Sequence, residues 1–145
     1  MLVLGELKLS EEWDKKGNNK PLESITSSVQ EIFGAHPGRL FVHAISICGA
    51  VMRCYLFDRR GVVASQAFDI TGNAKTSNLY ANILRVYCQM DAKGLGYDTG
   101  YQTNSGEVYL PAKHHREQRY VNVAGKRFGI VRQLSYGATI VSRAT

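Results

Sequence analysis

The sequence contains an acid–base pair whose spacing suits chemistry on a phosphate group. Glu6 and Lys8 are two residues apart among alternating leucines, so on a strand both side chains would project from the same face. A carboxylate can hold Mg²⁺, and a lysine beside it can stabilise the charge of an attacked phosphate. Such chemistry needs a second acidic ligand, and none of the five residues before Glu6 is acidic.

Glu6, Lys8 and Gln30, which lies on the predicted helix that follows, resemble the core of restriction-endonuclease-like nucleases. The resemblance implies a sheet with a metal-dependent site for nucleic acid. A Glu-x-Lys pair on a strand is also a common exposed ion pair. A nuclease-like module that binds nucleic acid is therefore an alternative hypothesis for this chain.

A second group of motifs is similar to the catalytic triplets of protein kinases. His115-Arg116-Glu117 is followed by Asn122, and Arg127-Phe128-Gly129 stands where a kinase has Asp-Phe-Gly. An arginine at the first position of that tripeptide cannot ligate Mg²⁺. We therefore assign no catalytic residue here and attribute the similarity to chance.

The longest ordered pattern spans residues 39–70, three apolar runs joined by short polar corners. It resembles the segment that precedes the kinase domain in the fungal-type protein kinase family. The matching motifs are Phe41-Val42-His43, Ile47-Cys48-Gly49, Met52-Arg53, Phe57-Asp58-Arg59 and Phe68-Asp69-Ile70. With the last residues of the chain, the resemblance extends from about Trp13 to Thr145.

In that family, the loop that covers the nucleotide phosphates would begin at Ser142, Arg143, Ala144 and Thr145. Glycines are expected there, because backbone N–H groups must approach the phosphates closely, so Ser142 and Ala144 make this start degenerate. The family implies ATP, Mg²⁺ and protein Ser/Thr substrates for a full-length member. The catalytic lysine and aspartates are absent, so we expect a truncated fragment that is inert on its own.

Composition and charge restrict the remaining possibilities. Among 145 residues, 44% are hydrophobic and 21% charged, as in an ordinary globular domain. No apolar run reaches membrane-spanning length, and three cysteines without Cys-x-x-Cys spacing predict neither disulfides nor a metal site. We expect an intracellular location and no membrane partner. The net charge of +6 falls entirely within residues 111–145, which leaves nucleic acid as a possible partner.

The hydrophobic periodicity predicts a mixed α/β fold. Apolar residues at helical spacing predict one helix that begins near Pro21 and ends at Gly34, and a second over 73–90 with a stripe of Leu79, Ile83, Val86 and Met90. Four predicted strands form a small sheet: 2–9, 41–48, 51–57 and 62–68. The two helices are expected to flank it.

Three regions follow from this pattern. Residues 1–96 are predicted to form a pre-kinase α/β domain, and its opening strand at 2–9 is compatible with a start within a fold. Residues 97–118 are predicted to form a loop or linker, and 119–145 a β-rich start of a kinase N-lobe. The β-rich part is predicted as a hairpin over 120–131 and a strand over 138–141. A regulatory domain that docks on a kinase lobe is a further alternative for the front region.

Overall fold

A computed structural model describes residues 3–15, 18–114, 116–133 and 139–143. Within these residues the chain forms two sheets, two long helices and one short helix. The elements are β1 (Leu4–Lys8), α1 (Lys20–Ala35), β2 (Phe41–Cys48), β3 (Val51–Asp58), β4 (Val62–Ala64), β5 (Phe68–Asp69), α2 (Ala74–Gln89), β6 (Tyr101–Gln102), α3 (Pro111–His114), β7 (Tyr120–Val123), β8 (Lys126–Gln133) and β9 (Thr139–Arg143). A 3₁₀ turn covers Glu11–Asp14.

The first sheet is mixed and has the order β1-β2-β3-β4, with β5 also paired to β3. β1 runs parallel to β2, and α1 connects them. β2 and β3 are antiparallel over their whole length, from the Phe41–Asp58 pair to the Cys48–Val51 pair. β4 and β5 are short antiparallel partners of β3 at its two ends, so β4 is an edge strand.

The core lies between α1 and one face of this sheet. Helical spacing places Ile25, Val29 and Phe33 on the buried side of α1. They pack on buried residues of the strands: Leu4, Val42, Ala44, Tyr55 and Phe57. The helix ends where the His36 backbone N–H donates to the Ile32 carbonyl at 2.9 Å.

The opposite face of the sheet carries α2, which packs much less closely. Asn73 and Thr76 form a reciprocal capping box that starts this helix. No residue of α2 is buried. The start of the helix contacts β5, and near its C-terminal end the Tyr87 ring lies 5.3 Å from the His43 ring. The apolar stripe predicted for α2 is only partly covered by the rest of the chain, because Leu79 and Val86 remain 44% and 48% exposed.

The second sheet is antiparallel and has the order β6-β7-β8-β9. It is connected to the first unit through the segment after α2, where the buried Arg39 guanidinium stacks 4.3 Å above the Tyr97 ring. The Arg39 Nε–H also donates to the Phe41 carbonyl at 3.0 Å. The stacking of this planar guanidinium on the aromatic ring attaches the segment after α2 to the residues just before β2.

The mixed α/β class is confirmed, and several boundaries differ from the prediction. The predicted strand 62–68 is two short strands, β4 and β5, separated by an irregular segment. The first helix continues past Gly34 to Ala35, and the predicted loop after β1 contains the 3₁₀ turn. The segment 97–118, predicted as a linker, contains β6 and α3. No helix in the described part of the chain is long and apolar enough to cross a membrane.

Candidate functional site

The Glu6–Lys8 pair lies on the α1 side of the first sheet. The parallel register aligns Glu6 with Ser46 and Lys8 with Cys48, so these side chains share one face. Lys8 Nζ lies 2.8 Å from a carboxylate oxygen of Glu6, and the two side chains are 32% and 21% exposed. The structure therefore brings the predicted pair together, and the two groups neutralise each other.

A second ion pair lies on the same side of the sheet. Arg53 of β3 donates from Nε to Asp14 Oδ1 at 3.0 Å and from Nη2 to Asp14 Oδ2 at 2.8 Å. This two-point contact fits the planar fork of the guanidinium to the carboxylate, and the hydrogen bond raises the pKa of Arg53. The hydroxyls of Ser46 and Tyr55 are hydrogen-bonded beside it at 3.1 Å.

A cavity of about 280 Å³ opens beside these groups at the start of α1. Its lining residues are Trp13, Asp14, Lys15, Asn18, Asn19, Pro21, Leu22, Arg53, Tyr55 and Ala64. The ammonium groups of Lys8 and Lys20 lie 5.5 and 5.1 Å from the centre of the Trp13 ring. Both apolar and polar side chains line the cavity, and its charged residues, Asp14, Lys15 and Arg53, already have ion-pair partners in the chain.

Gln30 lies apart from the Glu6–Lys8 pair. Its side chain is exposed, whereas the face of α1 that packs on the sheet carries Ile25, Val29 and Phe33. Among the described residues, no group of three or more His, Cys, Asp or Glu side chains is arranged to hold a metal ion. The geometry thus gives no support to metal-dependent chemistry on nucleic acid.

The cysteines and His43 form no nucleophilic pair. Cys48 is fully buried on the α1 face, and His43 lies on the opposite face, where its Nε2 is 3.1 Å from the Gly94 carbonyl. Cys54 shares the face of His43 and is hydrogen-bonded to Tyr87. Burial raises the pKa of both Cys48 and Cys54, which favours the thiol over the reactive thiolate.

The kinase-like tripeptide 127–129 has a structural role on β8. Arg127 Nη2 donates to the carbonyls of Thr103 and Asn104 at 2.6 and 2.9 Å, and its guanidinium stacks 4.0 Å above the Tyr120 ring. Asn122 donates to the Gln102 side chain at 2.9 Å. These side chains connect β7 and β8 to β6 and the turn that follows it. His115, the first residue of the other triplet, lies outside the described residues.

Two of the four residues predicted to begin a nucleotide loop, Ser142 and Arg143, lie at the end of the second sheet. The backbones of Ser142 and Arg143 pair with Gly129 and Phe128 as the last residues of β9. Ala144 and Thr145 lie outside the described residues. The assignment of these four positions to a nucleotide loop therefore stays a prediction.

Three of the cations of residues 111–145 have partners within the chain, although Lys113 remains 64% exposed. Lys113 Nζ lies 3.0 Å from a Glu107 carboxylate oxygen, and the Arg119 guanidinium lies 5.5 Å from the centre of the Tyr109 ring. Arg127 is engaged by backbone carbonyls. These cations stabilise local structure, which weakens the argument for a nucleic-acid surface.

Sequence reasoning missed the Asp14–Arg53 pair and the cavity that it lines. The two residues are 39 positions apart in the sequence, and Asp14 lies within the mostly polar run 11–20, whose composition is typical of a loop. One signal was available: Trp13 is the only tryptophan of the chain and stands inside that polar run. A large aromatic residue in a loop indicates that the loop packs on something.

The fold and the site define a mixed α/β unit with paired charges, followed by an antiparallel sheet. The family model described as Fungal protein kinase matches residues 1–145, the whole chain. The chain therefore belongs to the fungal protein kinase family. Neither the curated proteins nor the solved structures contain a match to it.

Proposed function

We propose that this chain forms the front region of a fungal-type protein kinase, and that the full-length protein transfers phosphate from ATP to Ser or Thr of protein substrates. The observation that carries this proposal is the family match over residues 1–145. The order of the two units supports it, because a separate α/β unit precedes an antiparallel sheet such as a nucleotide-binding lobe begins with.

The catalytic groups would come from polypeptide outside these 145 residues. The sequence has no Asp-Phe-Gly or His-Arg-Asp triplet, and phosphoryl transfer depends on the positioning and charge that such residues supply. The described residues do not fit Mg²⁺–ATP either, since they contain no metal-binding cluster and Arg127 is bound to carbonyls. The chain by itself is thus expected to be inert, and we derive no catalytic step.

The first test is to sequence the transcript on both sides of the region that encodes the chain. The proposal expects the reading frame to continue into a strand with a lysine and then into His-Arg-Asp and Asp-Phe-Gly triplets. A stop codon directly after Thr145 would contradict it and leave the kinase relationship as ancestry alone.

The second test measures transfer of labelled phosphate from Mg²⁺–ATP to myelin basic protein. The product of the longer reading frame should label the substrate, and the 145-residue chain should not. Binding to DNA or RNA, measured in parallel at low and physiological salt, tests the nuclease-like alternative. Salt-sensitive binding without phosphoryl transfer would favour that alternative.

A further inference from the structure

β1 is an edge strand of the first sheet, because β2 is its only partner strand in the described part of the chain. Along a strand at a parallel edge, every second residue bonds to the neighbouring strand and the others point away from it. The Lys8 carbonyl accepts from the Gly49 N–H at 2.9 Å, so Lys8 and Glu6 bond on the β2 side. The backbone N–H and C=O groups of Gly5 and Leu7 are therefore directed outward, and no hydrogen bond within the described residues engages them.

The side chains beside this edge are apolar on one face of the sheet and charged on the other. Leu7, aligned with Ile47 on the face away from α1, is 72% exposed, and Leu9 just after the strand is fully exposed. Glu6 and Lys8 lie on the α1 face, where they form their ion pair. Exposed leucines along an unpaired edge favour the addition of another strand.

The spacing of the charges makes this edge complementary to itself. Two copies of β1 that pair antiparallel about Leu7 bring Glu6 of each copy opposite Lys8 of the other. Leu7 then pairs with Leu7 of the partner subunit, and Gly5 with the partner's Leu9, so the outward backbone groups of the two copies face each other. Leu9 lies opposite a glycine, which has no side chain to exclude it.

Like charges disfavour the neighbouring registers. Outward residues must pair with outward residues, so the register can shift only in steps of two. A shift in one direction places Glu6 opposite the same glutamate of the second copy, and a shift in the other direction does the same for Lys8. Like charges directly opposite each other destabilise a strand pair, so the register about Leu7 is the one that the charges select.

The other charges around the strand do not favour a different partner. The described charged residues between β1 and the start of α1 are Glu11, Glu12, Asp14, Lys15 and Lys20. Three of them are ion-paired within the chain, and the other two, Glu11 and Lys20, carry opposite signs. The two acids of α1, Glu23 and Glu31, are exposed and lie away from its buried side. Because neither sign prevails beside the edge, the alternation of Glu6 and Lys8 matches a second copy better than a partner of one dominant charge.

We propose that β1 binds β1 of a second copy of this chain, so that two first sheets join into one continuous sheet in a symmetric dimer. The twofold axis passes between the two Leu7 residues, and every contact therefore occurs twice. Two Glu6–Lys8 pairs cross the interface on the α1 face, and the leucines cover each other on the opposite face. This inference is independent of the proposed kinase function, since no catalytic group takes part.

The test measures the molar mass of the full 145-residue chain by sedimentation equilibrium at concentrations from about 1 μM to about 1 mM. The unmodified chain should change from monomer to dimer within this range. Glu6→Lys and Lys8→Glu each place like charges opposite one another across the interface. Each substitution should weaken dimerisation at least about tenfold.

A mixture of the two variants separates a contact between copies from an effect on the fold. One chain then carries two lysines at these positions and the other carries two glutamates, so opposite charges face each other in both cross-strand pairs. Dimerisation should return in the equimolar mixture. The matched control is Arg60→Glu, which makes the same charge change as Lys8→Glu at the exposed corner between β3 and β4, on the other side of the sheet, and should leave dimerisation unchanged.

Leu7→Pro tests the backbone pairing. Proline removes the outward N–H and leaves the bonds of Glu6 and Lys8 to β2 in place, as an edge strand tolerates. We expect this variant to be monomeric, and far-UV circular dichroism checks the folding of every variant. Should Leu7→Pro fail to fold, the mixture of the two charge variants still decides between the outcomes.

The proposal is overturned if the unmodified chain stays monomeric up to about 1 mM. It is also overturned if the mixture of Glu6→Lys and Lys8→Glu dimerises no better than either variant alone, or if neither substitution weakens dimerisation, since the interface would then lie elsewhere. A longer reading-frame product that stays monomeric while the 145-residue chain dimerises would overturn it in favour of another segment of the same polypeptide at this edge.

Discussion

The carboxylate of Asp14 and the guanidinium of Arg53 form a two-point ion pair, with N–O distances of 3.0 and 2.8 Å. It attaches the 3₁₀ turn after β1 to the middle of β3. Arg53 Nη1 also donates to the Ser65 carbonyl at 2.8 Å, so one side chain connects three segments. The position of the cavity at the start of α1 depends on this attachment.

Breaking the Asp14–Arg53 pair should destabilise the chain. We expect Asp14→Asn or Arg53→Met to lower the free energy of unfolding by about 1–3 kcal/mol, because each change leaves a partly buried charged group without its partner. Urea unfolding followed by circular dichroism measures this. A double-mutant cycle should show coupling between the two positions.

The control for that cycle is the exposed pair Glu12–Lys15, whose closest N–O distance is 3.7 Å. Exposed pairs of this kind contribute little, so Glu12→Gln should change stability by less than about 0.5 kcal/mol. Equal coupling in the two pairs would show that the Asp14–Arg53 contact does not position the turn.

Gly96 should not tolerate a side chain. Its φ is +90°, and an added Cβ would lie 2.2 Å from the Phe41 carbonyl oxygen. Gly106 has nearly the same φ, +89°, but open space around it. Gly106→Ala should therefore cost about 1–2 kcal/mol for the backbone conformation alone, and Gly96→Ala clearly more. Thermal unfolding of both variants gives the comparison, and equal losses would contradict the close approach of Gly96 to β2.

Arg127 should act in stability rather than in catalysis. Arg127→Lys removes the planar group that stacks on Tyr120 and the hydrogen bonds to the Thr103 and Asn104 carbonyls, so we expect a loss of about 1–2 kcal/mol. Lys126→Ala, at the exposed neighbouring position, should be close to neutral. If Arg127→Lys changed phosphoryl transfer by the longer protein without changing its stability, the structural role would be wrong.

The chain should lose stability in alkali. Burial raises the pKa of Cys54 above its ordinary 9.0 and that of Tyr55 above its ordinary 10.0, and it raises the pKa of Tyr87 further. The folded state therefore holds these protons more tightly than the unfolded chain, and this contribution is complete below about pH 9 and is lost as the pH rises through the raised folded values. Tyr87→Phe should reduce the alkaline loss, measured by urea unfolding between pH 7 and about pH 11.

The neighbouring change Val86→Ala removes no titrating group and serves as the control for that series. Its pH profile should run parallel to that of the unmodified chain. An alkaline loss that is the same with and without the Tyr87 phenol would contradict the assignment of part of that loss to Tyr87.

Much of the fold followed from local sequence patterns. The 3.6-residue spacing of Ile25, Val29 and Phe33 predicted α1 and its buried side, and the apolar run after Arg39 predicted β2. The same reasoning predicted α2, but it also predicted an apolar stripe that would pack on the sheet, and no residue of α2 is buried. Periodicity reports which residues could be buried, and it cannot show that α2 covers only part of the sheet and leaves Leu79 and Val86 exposed.

By itself the sequence determined the family, the mixed α/β class, the pairing of Glu6 with Lys8, and the absence of catalytic kinase triplets. These depend on residue identity or on spacings of a few residues, which local geometry converts directly into structure. Only the tertiary structure decided that Asp14 meets Arg53, that His43 and Cys48 lie on opposite faces, and that β4 forms an edge of the first sheet. Those relationships depend on strand register and on how far each helix covers the sheet, and both are set by the packing of segments that are distant in the chain.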